Sequence, residues 1–307
     1  MLADDLGCDV SEVLPFSTGV IGEQLPVQAF KQALPNCVKN LSADADAWER
    51  AAKTIMTTDT VPKLFSRKAD SGGCELSITG MSKGAGMIRP DMATMLAYIA
   101  TDAVIAQPVL QRLLSEATRV SFNRIPVDGD TSTNDACTLL ATGTAKMAAV
   151  TENSKEYDQF STVLTGLMQD LAQAIIRDAE GATKFITINV SGAESEDDCL
   201  AVGYTVAESP LVKTALFASD PNWGRILAAV GRAPVTKLDI SQVNISLNGL
   251  AIVTAGEPDP AYTEEAGQKA VAGREITVDI ELGDSLRRVT LWTSDLSHEY
   301  VRINAEY

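Results

Sequence analysis

The sequence predicts a layered α/β fold, with antiparallel or mixed sheets covered by helices, and three observations carry that prediction. Segments with apolar residues three and four apart interleave along the chain with short segments of period two. The period-two segments are half polar, as strands with one packed and one wet face are, which argues against a purely parallel nucleotide-binding sheet. The 307 residues are 45% hydrophobic and 21% charged, an ordinary globular composition with enough apolar side chain for one or two packed domains.

The first helix is expected over residues 42–56, opened by Ser42 and an acidic turn, with Trp48, Ala51, Ala52 and Ile55 on one face. Leu76-Ser-Ile-Thr79 reads as a strand. A second helix follows Pro108 and carries Leu110, Leu113, Leu114 and Ala117 at helical spacing. The longest helix is expected from about Glu156 to Asp178, where Tyr157, Phe160, Val163, Leu164, Leu167, Met168, Leu171 and Ile175 form a continuous stripe. Residues 184–190, 243–249 and 275–282 alternate as half-buried strands, and Gly283-Asp284 carries a hairpin signal. The polar run 191–198 is either a domain junction or a solvated loop. As a junction it divides the chain into a main layered domain, 1–193, and a C-terminal α/β domain, 194–307.

Charge and rare residues narrow the chemistry. With 25 Lys and Arg against 41 Asp and Glu, the formal charge of -16 repels phosphate backbones and anionic lipid surfaces, so neither nucleic acid nor a membrane is an expected partner. No apolar run approaches the ~18 residues of a membrane span, and the first residues do not read as an export signal. Five scattered cysteines without a C-x-x-C pair read as reduced thiols, and the expected location is the cytoplasm. His298 is the only histidine, which excludes paired-imidazole chemistry such as an H-E-x-x-H zinc site, and no metal is expected.

Several short motifs bear on chemistry. Gly80-Met-Ser-Lys-Gly84 fits the G-x-S-x-G pattern of serine hydrolases, but Gly86 and Pro90 interrupt the helix that should follow, and only His298 is on hand as a base. Asp128-Gly-Asp-Thr-Ser-Thr-Asn-Asp135 is rich in carboxylates, yet Thr133 and Leu139 stand where a calcium loop needs Gly and Glu, so it reads as a hydrogen-bonded turn. Ser17-Thr-Gly-Val-Ile-Gly22 is a glycine-bearing loop able to offer backbone N–H groups to an anion. Asp220-Pro-Asn-Trp-Gly-Arg225 is a turn leading into a helix.

Taken together with Ile55-Met-Thr-Thr-Asp-Thr60, Lys83-Gly-Ala-Gly-Met-Ile-Arg-Pro-Asp-Met-Ala-Thr-Met-Leu96, Glu180-Gly-Ala-Thr-Lys184 and Asn304-Ala-Glu-Tyr307, these segments resemble, in order and across the whole chain, the signatures of the ornithine acetyltransferase (glutamate N-acetyltransferase) family. The resemblance implies an αββα sandwich with a smaller C-terminal α/β part. It implies a precursor cut between Ala93 and Thr94 into an α chain, 1–93, and a β chain from Thr94, with Thr94 as nucleophile and its freed α-amine as base. An α-amine pKa of about 7.7 to 8.0 suits that role near neutral pH. By the same resemblance Thr18 and Gly19 form the oxyanion hole, and Thr57, Lys83, Thr94, Glu180 and Asn304 bind substrate, with Thr58 an alternative to Thr57. The implied reaction moves acetyl from N-acetylornithine to glutamate in a ping-pong cycle, without a cofactor, and acetyl-CoA is a further donor open to the family. The implied assembly has two α and two β chains.

Against the family pattern, an N-terminal stretch before the Ser-Thr-Gly loop and the last few residues after Tyr307 are absent from this sequence, so a truncated, inactive member is a competing expectation. A self-processed amidohydrolase or peptidase that passes its acyl group to water is the other.

Overall fold

The structure is a computed structural model and describes residues 1–71, 73–89 and 95–305. The mixed α/β architecture expected from the sequence is the one observed, built on two sheets.

The first sheet runs β1-β2-β3-β4, with β1 Lys63–Ser71, β2 Cys74–Lys83, β3 Leu96–Thr101 and β4 Ala136–Ala141. β1 and β2 are antiparallel, as are β2 and β3, whereas β3 and β4 are parallel. The parallel pair needs a crossover. Helix Gln107–Arg119 lies within it, with Pro108 in its first turn, where a missing N–H costs nothing.

The 23-residue helix Lys155–Arg177 lies across β1 and β2. Ser154 caps it by accepting the Tyr157 N–H, Glu156 and Asp158 fill its first turn, and Arg177 its last, so both ends suit the helix dipole. Phe160, Leu164, Leu167, Met168, Leu171 and Ile175 of the predicted stripe are buried, each large side chain contributing roughly 1.5–3 kcal/mol of transfer free energy. Tyr157 and Val163 lie at its edge. Gly80 on β2 packs tightly under the helix: a Cβ there would stand 3.0 Å from Leu171, and 3.1 Å from Ile99 on the neighbouring strand.

The second sheet has six strands in the order β10-β5-β9-β6-β7-β8. These are β5 Phe185–Gly192, β6 Asn244–Leu247, β7 Leu250–Thr254, β8 Glu257–Pro258, β9 Glu275–Glu281 and β10 Ser285–Ser294. Ile186, Ile188 and Val190 of β5 and Ile276, Val278 and Ile280 of β9 give its core the alternation read from the sequence. The hairpin expected at Gly283-Asp284 does not form. β9 pairs with β5 in parallel on one side and β10 pairs with β5 in antiparallel on the other, so the connection crosses the end of β5. Gly192 permits the crossing: its φ is 88°, and a Cβ there would stand 2.2 Å from the Gly283 carbonyl oxygen.

One boundary differs from the sequence reading. The amphipathic helix expected over residues 42–56 spans Ala45–Thr54 and is capped by Asp44, not Ser42. The Asp44 carboxylate accepts the Ala47 N–H at 2.6 Å while Ser42 donates its hydroxyl to the same group. The run 191–198 is taken up by the end of β5 and by helix Glu196–Ala207, whose N-cap is Ser195. Ahead of residue 44, helix Val27–Lys39 buries no side chain, and Leu14, Val20, Ile21 and Leu41 are exposed. Among the described residues no helix is long and apolar enough to cross a membrane.

Candidate active site

Six sequence-predicted site residues from five separate segments line one cleft of about 140 Å³: Thr18, Gly19, Thr57, Lys83, Glu180 and Asn304. Thr58 lines it too. Ala93 and Thr94 lie outside the described residues.

Lys83 is the last residue of β2 and is only 2% exposed. Its ammonium donates to the Thr57 hydroxyl at 2.8 Å. Burial, with the Lys63 charge behind it, pulls Lys83 below the ordinary lysine range, against the attraction of Asp59, Asp135 and Glu180. Ser82, next to it, is buried within the β2–β3 ladder opposite Ala97, so Gly80–Gly84 is continuous strand and turn and no nucleophile elbow.

Behind the cleft lies a buried ion cluster that the sequence reading did not contain. Lys63 donates to Asp59 at 2.6 Å and to Asp178 at 2.7 Å. Asp59 also accepts the Gly84 N–H at 2.8 Å and the Thr57 N–H at 3.2 Å, so one carboxylate fixes the backbone of both the Lys83 turn and Thr57. Burial pushes the Asp59 carboxyl upward, but Lys63 and the two N–H donors outweigh it and hold it below the usual carboxylate range. Asp178 closes the cluster by accepting the Thr60 N–H at 3.0 Å.

The opposite pole is Glu180, just beyond the long helix. Its N–H donates to the Ala85 carbonyl at 2.9 Å, and its carboxylate accepts from Asn304 Nδ2 at 2.8 Å. The Glu180 carboxylate packs directly on Gly86, where a Cβ would stand 2.5 Å from Oε2 and push the side chain aside. Asn304 arrives on helix His298–Ala305, which sits on Gly181. A Cβ at that glycine, whose φ is 67°, would meet the Tyr300 nitrogen at 2.5 Å.

Asp128 and Asp135, read from sequence as parts of a turn, bracket the segment that leads to residue 94. Asp128 accepts the N–H groups of Met87 at 2.7 Å and Ile88 at 3.0 Å, and the Tyr300 hydroxyl at 3.2 Å. Asp135 accepts the Met95 N–H at 2.9 Å with Oδ1. Both had one signal in the sequence, their place inside a motif that the resemblance singles out. A larger groove, of about 590 Å³, lies at Gly192, Glu194, Lys237 and Asp284; it holds none of the predicted residues, and Lys237 there is tied to Glu194 at 3.1 Å.

A buried cation on one wall, a carboxylate on the other and a glycine-bearing loop between them form a small-molecule site suited to a zwitterion. The ArgJ family profile matches residues 1–307. The arginine biosynthesis bifunctional protein ArgJ of Pseudomonas syringae pv. tomato is 54% identical over 307 residues, all of this chain and 75% of that protein. Its counterpart in Psychrobacter arcticus is 52% identical, again across the whole chain and 75% of the relative. The solved structure of the protein of that name from Bacillus halodurans is 35% identical, with a TM-score of 0.66, over 68% of this chain and 98% of its own. The chain belongs to the ArgJ family.

Proposed function

We propose that this chain is an acetyltransferase of arginine biosynthesis that cuts itself between Ala93 and Thr94 and then moves acetyl from N-acetylornithine to glutamate through an acetyl-Thr94 intermediate. The observation that carries the reading is the convergence of Thr18, Gly19, Thr57, Lys83, Glu180 and Asn304 on one cleft, from segments far apart in sequence. Lys83 is the anchor for the α-carboxylate that N-acetylornithine and glutamate both carry, and Glu180 for a substrate ammonium. Thr18 and Gly19 are the oxyanion donors, worth on the order of 3 kcal/mol of barrier each where preorganised.

The freed Thr94 amine removes the proton from its own hydroxyl as that oxygen attacks the acetyl carbonyl. The same proton then goes to the departing amine of ornithine, and glutamate enters by the reverse path.

Intact mass under denaturing conditions, with N-terminal sequencing, tests the cut: two species are expected, one beginning at Thr94. Thr94→Ala is expected to leave a single chain without transfer. Initial rates with both substrates varied should give parallel lines in a double-reciprocal plot, and intersecting lines would exclude the acetyl-enzyme route. Release of acetate without glutamate would favour the amidohydrolase alternative.

A further inference from the structure

Ser297 takes no part in the proposed transfer, yet its hydroxyl joins the two segments that meet at Glu180. Its Oγ donates to the Gly181 carbonyl at 2.6 Å, one residue beyond Glu180. The same oxygen accepts the N–H groups of Glu299 at 3.2 Å and Tyr300 at 3.4 Å, two of the donors that the first turn of helix His298–Ala305 cannot pair within itself. That helix delivers Asn304 to the Glu180 carboxylate. Ser297 is only 6% exposed, so solvent does not compete for its bonds.

Both segments depend on such ties. The helix buries no side chain, so apolar packing contributes little to its seat. Beyond Ser297 it is held by the His298 ring edge-on to Phe217, by the Tyr300 hydroxyl on Asp128 and by Asn304 on Glu180. The loop 180–184 beneath it is pinned at two points. Asp295 accepts the N–H groups of Thr183 at 2.8 Å and Lys184 at 2.9 Å and fixes its far end, whereas Ser297 fixes the end next to Glu180. Gly181 packs directly against the hydroxyl: a Cβ there would stand 2.7 Å from Ser297 Oγ.

We propose that Ser297 is a positioning residue for the Glu180 pole of the cleft and, through it, a determinant of donor specificity: it sets Glu180 and Asn304 in register to receive the side-chain ammonium of the acetyl donor. In N-acetylornithine the α-nitrogen is acylated, so that ammonium is the only cation the ligand offers. Lys83, on the other wall, is fixed by Thr57 and, through the Gly84 N–H, by Asp59, and owes nothing to Ser297. Loss of the Ser297 hydroxyl therefore weakens recognition of the ammonium and spares recognition of the carboxylate, whereas a purely structural role would affect both alike. This rests on the reading that the cleft takes acetyl from N-acetylornithine.

The test compares two donors on the full chain, with glutamate as acceptor: N-acetylornithine, and N-acetylnorvaline, which keeps the acetyl group, the α-carboxylate and the three side-chain carbons but has no ammonium. The readout is the ratio of their kcat/KM values. The unaltered chain is expected to favour N-acetylornithine at least about 100-fold. Ser297→Ala is expected to lower that ratio about tenfold, through loss with N-acetylornithine alone, and Ser297→Thr, which keeps the hydroxyl, to restore it. An unchanged ratio in Ser297→Ala, whether both donors lose equally or neither does, would overturn the proposal. Because alanine also uncaps the helix, Ser297→Asp is the second variant: its carboxylate accepts the helix N–H groups but has no proton for Gly181, so the ratio is expected to fall while the cap is kept. Should Ser297→Ala fail to fold, as judged by its melting transition, Ser297→Asp decides, and the unaltered ratio there overturns the proposal. An unaltered chain that uses both donors equally would remove Glu180 as the ammonium anchor and the role of Ser297 with it, whereas one that uses neither would instead remove the underlying reading of the cleft.

Discussion

Lys63 and Lys83 sit on neighbouring strands at the same end of the first sheet, and each is 2% exposed, yet their surroundings differ completely. Lys63 is held by two carboxylates, and its charge is neutralised within the protein. Lys83 has a neutral hydroxyl as its hydrogen-bond partner among the described residues and faces the cleft. A buried cation without an anion of its own is costly, and the fold keeps one beside a cation that is fully matched. The difference separates a lysine that builds the wall from one that waits for a carboxylate brought by a ligand.

Substitution at the two positions should split stability from activity. Lys63→Met strands Asp59 and Asp178 in the interior and is expected to destabilise the protein by about 3–5 kcal/mol, read as a large fall in the melting temperature. Lys83→Met removes a desolvated charge, so the melting temperature should hold or rise. Its transfer activity should nevertheless fall about a hundredfold in kcat/KM, roughly 3 kcal/mol of lost anchoring. If Lys83→Met melts like Lys63→Met, the distinction between wall and anchor fails.

The same contrast has a pH signature. Only charged Lys83 holds a carboxylate, and burial has moved its pKa below the ordinary lysine range. Glutamate affinity is therefore expected to fall, as pH rises, earlier than an ordinary lysine would allow; titration calorimetry against pH checks this, and an unchanged affinity up to the ordinary lysine range would contradict it. The smallest effect concerns the hydroxyl on Lys83. Thr57→Val should cost about 1 kcal/mol, a severalfold rise in KM, while Thr58→Val should leave KM alone. The reverse result would transfer the contact to Thr58.

Periodicity made the covered sheets legible. The stripe from Phe160 to Ile175 and the alternation in β5 and β9 are local patterns, and they name their buried faces correctly. The path from β9 to β10 was not legible, because Gly283-Asp284 has the composition of a tight hairpin while the crossing depends on Gly192, some ninety residues earlier. Nor was the ion cluster, since Asp59 and Asp178 meet on Lys63 from distant segments and no spacing rule connects them. The cleft residues came from the resemblance; by composition alone Lys83 and Glu180 read as surface charges, and the structure buries the first entirely.

The two poles of the cleft also record the history of each molecule. Thr18 lies near one end of the sequence and Asn304 near the other, and Asn304 reaches Glu180 only when helix His298–Ala305 has settled on Gly181. A nascent chain emerging from the ribosome can form the first sheet and the long helix well before that final helix exists. Completion of the cleft is therefore deferred until helix His298–Ala305 has been made and docked, so its two walls are joined only after the sheets that carry them have had time to form.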